Sequence, residues 1–229
     1  DDDKNGYVDD IHGYDFFNND ADPMDDNDHG THVAGTIAAI GDNDKGVIGV
    51  APNVKVMALK MFSAEGEGKI SDAILAIEYA TKMNAHVINN SWGGGGYSEG
   101  LVSAIAAASA KNIVFTAASG NYGTNNDVTP HYPSNYEEAN VISVAATNNQ
   151  DGLASFSNYG FSTVDVSAPG VNVLSTLPKG NYGVFSGTTM ATPHVTGVVA
   201  LLLSIAPTLT PAEVKERLVR TSDGIMSLR

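Results

Sequence analysis

The chain has 229 residues, 42% hydrophobic and 17% charged, with 26 acidic and 12 basic side chains and a net charge of −14. That length buries one core, so a single domain spanning 1–229 is expected. The acidity argues against nucleic acid or an anionic membrane as a partner, and the absence of cysteine excludes disulfides, a thiol nucleophile and cysteine-ligated zinc.

Residues 1–28 are rich in Asp and Asn and read as loop, with a short apolar strand around Tyr14, Phe16 and Phe17. The chain opens on three aspartates, carries no signal peptide and reads as the middle of a longer protein. Helical spacing starts near Gly30 and stops before Gly41, and residues 54–62 read as a strand. Ser71 is the expected cap of a helix carrying Ile74, Leu75, Ile77 and Ala80 on one side. Strand, open glycine backbone, helix and strand follow at 86–90, 93–96, 101–110 and 113–117. Residues 141–145 repeat the strand signature, and 164–166, 171–177 and 182–185 read as short strands or hairpins. Residues 192–205 form a helix apolar nearly all round, expected to be buried; the run 195–205 is too short to cross a membrane. Thr210, Pro211 and Glu213 form a capping box that opens a last amphipathic helix ending near Ser222.

Strands alternate with helices, and the strands are continuously apolar. Both faces of the sheet should therefore be covered, which argues for an α/β fold with a mostly parallel sheet. Sites in such sheets lie beyond the carboxyl ends of strands, where Asn90-Ser91-Trp92-Gly93 and Ser119-Gly120-Asn121 both fall.

Three segments carry chemistry. His29 precedes a helix whose dipole disfavours the imidazolium and so favours a neutral base; the blander reading is a surface or capping histidine beside Asp28. A metal pair of His29 and His32 lacks the glutamate of an HExxH motif. Asn121 is either a turn residue or an amide donor to a developing oxyanion, with a backbone N–H at the start of the 192–205 helix as second donor. Thr189 follows Gly187 at a helix start, and is either an ordinary N-cap or a nucleophile.

Taken together, His29-Gly30-Thr31-His32-Val33-Ala34-Gly35, the segment 46–52, Asn89-Asn90-Ser91-Trp92-Gly93 and Gly187-Thr188-Thr189-Met190-Ala191-Thr192-Pro193-His194 occur in the order found in the subtilisin-like serine peptidases, which the chain resembles from about Gly13 to about Thr221. The resemblance implies a three-layer α/β sandwich and an endopeptidase working through an acyl-enzyme. His29 would be the general base and Asn121 the oxyanion donor, with Thr189 at the position of the family's nucleophilic serine. Gly66, Gly68, Ser91, Trp92 and Gly93 would line the cleft and pair with an extended peptide. Ala118 and Ser134 would border a pocket for the side chain before the scissile bond, and a pocket walled by Ala and Gly would admit large apolar groups. The resemblance further implies secretion, extended polypeptide substrates, a pro-region as partner and a monomer.

Two departures matter. No Asp-Thr-Gly or Asp-Ser-Gly strand precedes His29, so the orienting aspartate is expected to be missing, as is the family's closing C-terminal segment. Threonine at 189 adds a methyl beside the imidazole, so the chain is expected to be weakly active or inactive. A non-catalytic peptide-binding domain is the alternative, and a calcium-held structural domain a third. Calcium is the implied cofactor: Asp15, Asn18, Asp20 and Asp22 match one calcium loop of the family and Asp42 with Asn43 another. Asp1, Asp3 and Asn5 ahead of Gly6 resemble the start of an Asp-x-Asp-x-Asn-Gly calcium loop, without the closing glutamate of an EF-hand; a solvated acidic surface is the alternative.

Overall fold

Residues Val114–Ala118 and Val141–Thr147 are buried along their whole length, so both faces of the sheet they belong to must be covered. The computed structural model, which describes residues 1–2 and 4–224, supplies that cover. Its elements run β1 (Gly13–Asp15), α1 (His29–Ala38), β2 (Ala58–Lys60), α2 (Ile70–Lys82), β3 (Val87–Asn90), α3 (Glu99–Ala110) and β4 (Val114–Ala118). There follow β5 (Val141–Thr147), β6 (Val166–Pro169), β7 (Val173–Leu177), β8 (Asn181–Phe185), α4 (Thr188–Ile205) and α5 (Pro211–Thr221).

The order β3–β4–β5–β6 forms a parallel four-stranded sheet. On one face, Ala73 and Ile77 of α2 and Leu101, Ile105 and Ala108 of α3 pack on Phe115, Ala117 and Val141. On the other, Ala191, Val195 and Val199 of α4 and Val214 of α5 pack on Val114, Ile142, Val144 and Ala146. This is the three-layer α/β arrangement expected from the sequence. Burying a side chain such as Phe115 stabilises it by about 1.5–3 kcal/mol. β1 and β2 form a separate parallel pair, and β7 and β8 an antiparallel hairpin.

Helix α1 lies against α4 and β7, where Val33, Ile37 and Met190 form a small core with Val173 and Phe185 at its margin. Gly35 permits that approach: a Cβ there would lie 2.0 Å from the Thr176 hydroxyl. The register Asn90↔Ala117 sets the carboxyl ends of β3 and β4 side by side, so the loops 91–96 and 119–121 emerge together.

Several elements differ from their sequence reading. The strand expected at 54–62 shrinks to β2, and the one at 164–166 starts at Val166. Ser71 does not cap α2; its hydroxyl donates to Asp72 Oδ1 at 3.0 Å, and the extended Lys69 precedes the helix with no side-chain cap. The last core helix begins at Thr188, four residues early. Nor is it buried all round: Val198, Leu201 and Ile205 are exposed, with no described residue covering that side of its second half. At 18 residues and a mean hydropathy of 1.4, α4 is long and apolar enough to cross a membrane, yet most of it is interior core. The capping box at Thr210 and Glu213 forms as read.

Candidate active site

Helix α4 begins where it does because its cap comes from elsewhere in the chain. Asn121 Oδ1 accepts from the Thr188 N–H at 2.8 Å and from the Thr188 hydroxyl at 2.9 Å. Gly187, the residue before the helix, is extended and makes no such bond. With its oxygen held, the Asn121 carboxamide leaves its NH2 group without an acceptor among the described residues. The loop carrying Asn121 is itself fixed. Asn158 Oδ1 accepts from the Tyr122 N–H at 2.8 Å, Asn158 donates to Asn126 Oδ1, and Asn126 donates to the Ser119 carbonyl.

Thr189 sits in the first turn of α4, where backbone N–H groups lack intrahelical partners. Its own N–H has no acceptor among the described residues. Gly187 leaves a space open beside it. A Cβ built on Gly187 would lie 2.8 Å from Thr189 Oγ1, 3.5 Å from Asn121 Nδ2 and 3.6 Å from the Thr189 nitrogen. A hydroxyl and two N–H donors thus border one small volume, which glycine alone keeps empty. The Thr189 carbonyl is held as well. Pro193, four residues on, has no N–H to bond it, so it accepts from the Ser91 hydroxyl at 2.7 Å. Thr189 Oγ1 itself approaches the Met190 sulfur at 3.4 Å.

His29 occupies the first position of α1 and is half-buried. Burial depresses its pKa below the ordinary histidine value; the nearby Asp25 carboxylate pulls the other way and His32 reinforces the depression. No carboxylate hydrogen-bonds to His29 among the described residues. Asp25 spends its oxygens on the helix start: Oδ2 accepts from the Thr31 N–H and hydroxyl, both at 2.6 Å, and Oδ1 from the Asn27 N–H at 3.0 Å. Asp28, the residue preceding the helix, makes no side-chain cap. His32, the second of the pair, is fully buried, with Nε2 3.0 Å from the Val173 carbonyl and its ring stacked on Phe185 at 4.5 Å. It points into packing between α1 and β7, away from any shared metal position with His29.

Of the expected cleft residues, Ser91, Trp92, Gly93 and Ala118 fall at the carboxyl ends of β3 and β4. Ser91 is buried and Gly93 is exposed; the Trp92 N–H donates to Asn90 Oδ1 at 3.1 Å while its ring packs on the core beneath. Gly66 and Gly68 lie on an exposed tight turn in which Phe62 and Gly68 pair. Ala118 closes β4. Ser134 is buried and its hydroxyl donates to the His131 carbonyl, so it supports the loop below. The His131 ring stands between Gly93 and Gly120, so the space there is not walled by Ala and Gly alone.

Among the described residues, no group of three or more His, Asp or Glu side chains gathers as a metal site. In the Asp15 loop a lysine stands where a cation was expected. Lys60 Nζ lies 3.0 Å from the buried Asp15 carboxylate and 3.5 Å from Asp26, and donates to the Phe62 carbonyl at 2.8 Å. Asp15 also accepts from the Phe17 and Asn18 N–H groups and from the Asn18 amide. Although burial alone would raise its pKa, these bonds and Lys60 hold it below the usual carboxylate value. Asp20 and Asp22 each accept a local backbone N–H. This set does not fit a divalent ion. Elsewhere, Asn43 accepts from the Lys45 N–H, and Asp42 is exposed with a positive φ. Asp1 accepts from the Gly6 N–H and Asn5 from the Tyr7 N–H, while Asp3 lies outside the described residues.

Sequence reasoning missed Asp25, His131 and Thr188. Asp25 carried a signal, since an acidic residue just ahead of a helix is a capping cue. The other two act through contacts distant in sequence.

The subtilase family model matches residues 1–228. A thermophilic serine proteinase of Bacillus sp. (strain AK1) is 45% identical over 94% of this chain and 52% of its own length. Subtilisin NAT of Bacillus subtilis subsp. natto is 46% identical over 87% of this chain and 51% of its own length, so the chain spans about half of each of these relatives. Subtilisin DY of Bacillus licheniformis is 43% identical over 94% of this chain and 77% of its own. Among solved structures, a cold-adapted subtilisin-like serine proteinase superposes with a TM-score of 0.83 at 37% identity, over 94% of this chain and 76% of that one. Family model, relatives and architecture agree, and the chain belongs to the subtilase family.

Proposed function

We propose that this chain is the catalytic region of a serine-type endopeptidase that hydrolyses extended polypeptides through an acyl-enzyme, with the reaction slowed by threonine at position 189. The observation that carries this reading is the volume beside Gly187, bordered by Thr189 Oγ1, Asn121 Nδ2 and the Thr189 N–H. A substrate carbonyl placed there meets a hydroxyl on one side and two hydrogen-bond donors on the other. Thr189 Oγ1 attacks the carbonyl carbon, His29 takes its proton, and the negative charge on the carbonyl oxygen is met by Asn121 Nδ2 and the Thr189 N–H. His29 returns the proton to the leaving amine, and water repeats the cycle on the ester. Burial keeps His29 neutral at neutral pH, as a base requires. The backbone at the exposed Gly66, Gly68 and Gly93, with that of Ser91 and Trp92 beside it, receives the peptide as an added strand.

Among the described residues no carboxylate hydrogen-bonds to His29, and such a partner is what fixes the tautomer of a catalytic imidazole. The turn of Thr189 Oγ1 toward Met190 favours a second reading in which the chain binds extended peptides without cutting them. Cleavage of an extended fluorogenic peptide by the chain and by its Thr189→Ser variant separates the two. Fragments that appear faster with serine and vanish on His29→Ala support the endopeptidase; saturable binding with no fragments from either form supports the binding domain.

Calcium takes no part in this chemistry. Of the three acidic loops, the Asp1–Asn5 and Asp42–Asn43 turns are those left for it, since Lys60 fills the Asp15 loop. Secretion, a pro-region partner and a monomeric state complete the reading, and rest on the family.

A further inference from the structure

The His131 ring bridges the two loops that emerge from β3 and β4. A Cβ on Gly93 would lie 2.1 Å from its Cε1 and 2.9 Å from its Nε2, and a Cβ on Gly120 would lie 2.9 Å from its Cδ2. The two carbons that flank Nε2 of one imidazole therefore approach the backbone of both loops, at glycines whose missing Cβ leaves room for the ring and, at Gly120, for Asn158 as well. The ring's position is set by its loop. The His131 N–H donates to Asn135 Oδ1 at 3.0 Å, and its carbonyl accepts from the Asn135 N–H at 2.9 Å and the Ser134 hydroxyl at 2.7 Å. The next residue is tied to the facing loop by the Gly94 N–H, which donates to the Tyr132 carbonyl at 3.1 Å. Tyr122, largely exposed, stands 6.0 Å from the imidazole, centroid to centroid. Burial depresses the His131 pKa, so the ring is neutral at neutral pH, and its Nδ1 is buried without a partner.

On the reading above, on which this inference rests, a peptide paired with residues 91–93 and presenting its carbonyl beside Asn121 directs the preceding side chain between these same loops. We propose that His131 is a specificity-determining residue: its ring fills the depth of that pocket, so the residue before the scissile bond must be small, with Ala, Gly or Ser accepted and large apolar side chains refused. This reverses the expectation of a pocket walled by Ala and Gly. A phenyl ring entering here must displace an imidazole wedged between Gly93 and Gly120, and close-packed interiors resist such insertion.

Two peptide aldehydes that differ only in their last residue fix the register, because the aldehyde carbon marks the reacting carbonyl. Acetyl-Ala-Ala-Pro-alaninal and acetyl-Ala-Ala-Pro-phenylalaninal are titrated calorimetrically into the chain and into His131→Gly. The chain is expected to bind the alaninal at least ~10-fold tighter than the phenylalaninal, and His131→Gly to bind the phenylalaninal at least ~10-fold tighter than the chain does. Alaninal affinity should stay within about threefold. His131→Ala is measured beside it, and the variant that keeps the wild-type melting temperature is used. If both unfold, the wild-type preference decides: phenylalaninal bound as tightly as alaninal overturns the proposal. An unchanged ratio in a folded variant that binds both overturns the role of His131 while leaving the cleft intact. Binding of neither aldehyde by any form overturns the cleft and this proposal with it.

Discussion

The carboxamide of Asn121 and the hydroxyl of Thr188, 67 residues apart in sequence, meet at 2.9 Å. That bond and its companion from the Thr188 N–H do two things at once: they start helix α4 and they aim the Asn121 NH2 group. The neighbouring Thr189 is thereby fixed relative to the amide beside it. Replacing Asn121 should therefore cost both catalysis and stability. Asn121→Ala is expected to lower peptide hydrolysis by ~10²–10³, a magnitude established for the corresponding amide donor of a subtilisin itself, and to lower Tm because α4 loses its cap. Steady-state kinetics with a melting curve on the same sample check both.

Thr189→Ser is expected to raise kcat by about 10²-fold, since the extra methyl restricts χ1 and displaces the oxygen from its attacking position. KM should move little, because the methyl lies at the reacting centre and not along the peptide cleft. Hydrolysis of one chromogenic peptide by both forms is the measurement. Equal rates would show that the methyl is tolerated.

Burial depresses His29, His32, His131 and His194 below 6.5. As pH falls through that value the unfolded chain takes up protons that the folded chain refuses, so stability is full above 6.5 and declines below it. The depressed carboxylates of Asp10, Asp15 and Asp25 add a further loss only below their ordinary value of 3.8. Tm measured across this range should begin to fall just below pH 6.5; a flat Tm down to about pH 5 would contradict the burial of these imidazoles. The same depression places the activity of His29 lower on the pH scale, and Asp25→Asn, which removes the charge that raises it, should move the inflection lower still.

Lys60→Ala leaves the Asp15 carboxylate buried and unpaired, and is expected to destabilise the fold by about 3–5 kcal/mol. Added calcium should recover part of that loss in the variant and little in the parent chain, since the ammonium already fills the place between Asp15 and Asp26. Chemical denaturation with and without calcium reads both effects. Calcium stabilising the two forms equally would place its site elsewhere.

Much of this architecture was legible in the sequence because it rests on local pattern. The continuous apolar runs of β4 and β5 called for cover on both faces, and the Thr210 capping box marked α5 four residues at a time. Features that depend on distant contacts were hidden. The start of α4 at Thr188 depends on Asn121, and the Ser91 bond to Thr189 depends on the missing N–H of Pro193. Lys60 looked like an ordinary strand residue, and only pairing of β1 with β2 puts its ammonium on Asp15. His131 lay in a turn with no motif around it, and its place between two glycines follows from the register of β3 and β4.

The convergence of the residue 189 hydroxyl with Asn121 is tested most directly by covalent labelling. A fluorophosphonate probe reacts with an activated hydroxyl whose new oxyanion finds donors, and mass spectrometry of the digest locates the adduct. In Thr189→Ser the expected result is a single adduct on residue 189, its formation slowed at least ~10²-fold by Asn121→Ala. An adduct on another residue, or labelling of residue 189 at the same rate without the Asn121 amide, would contradict it.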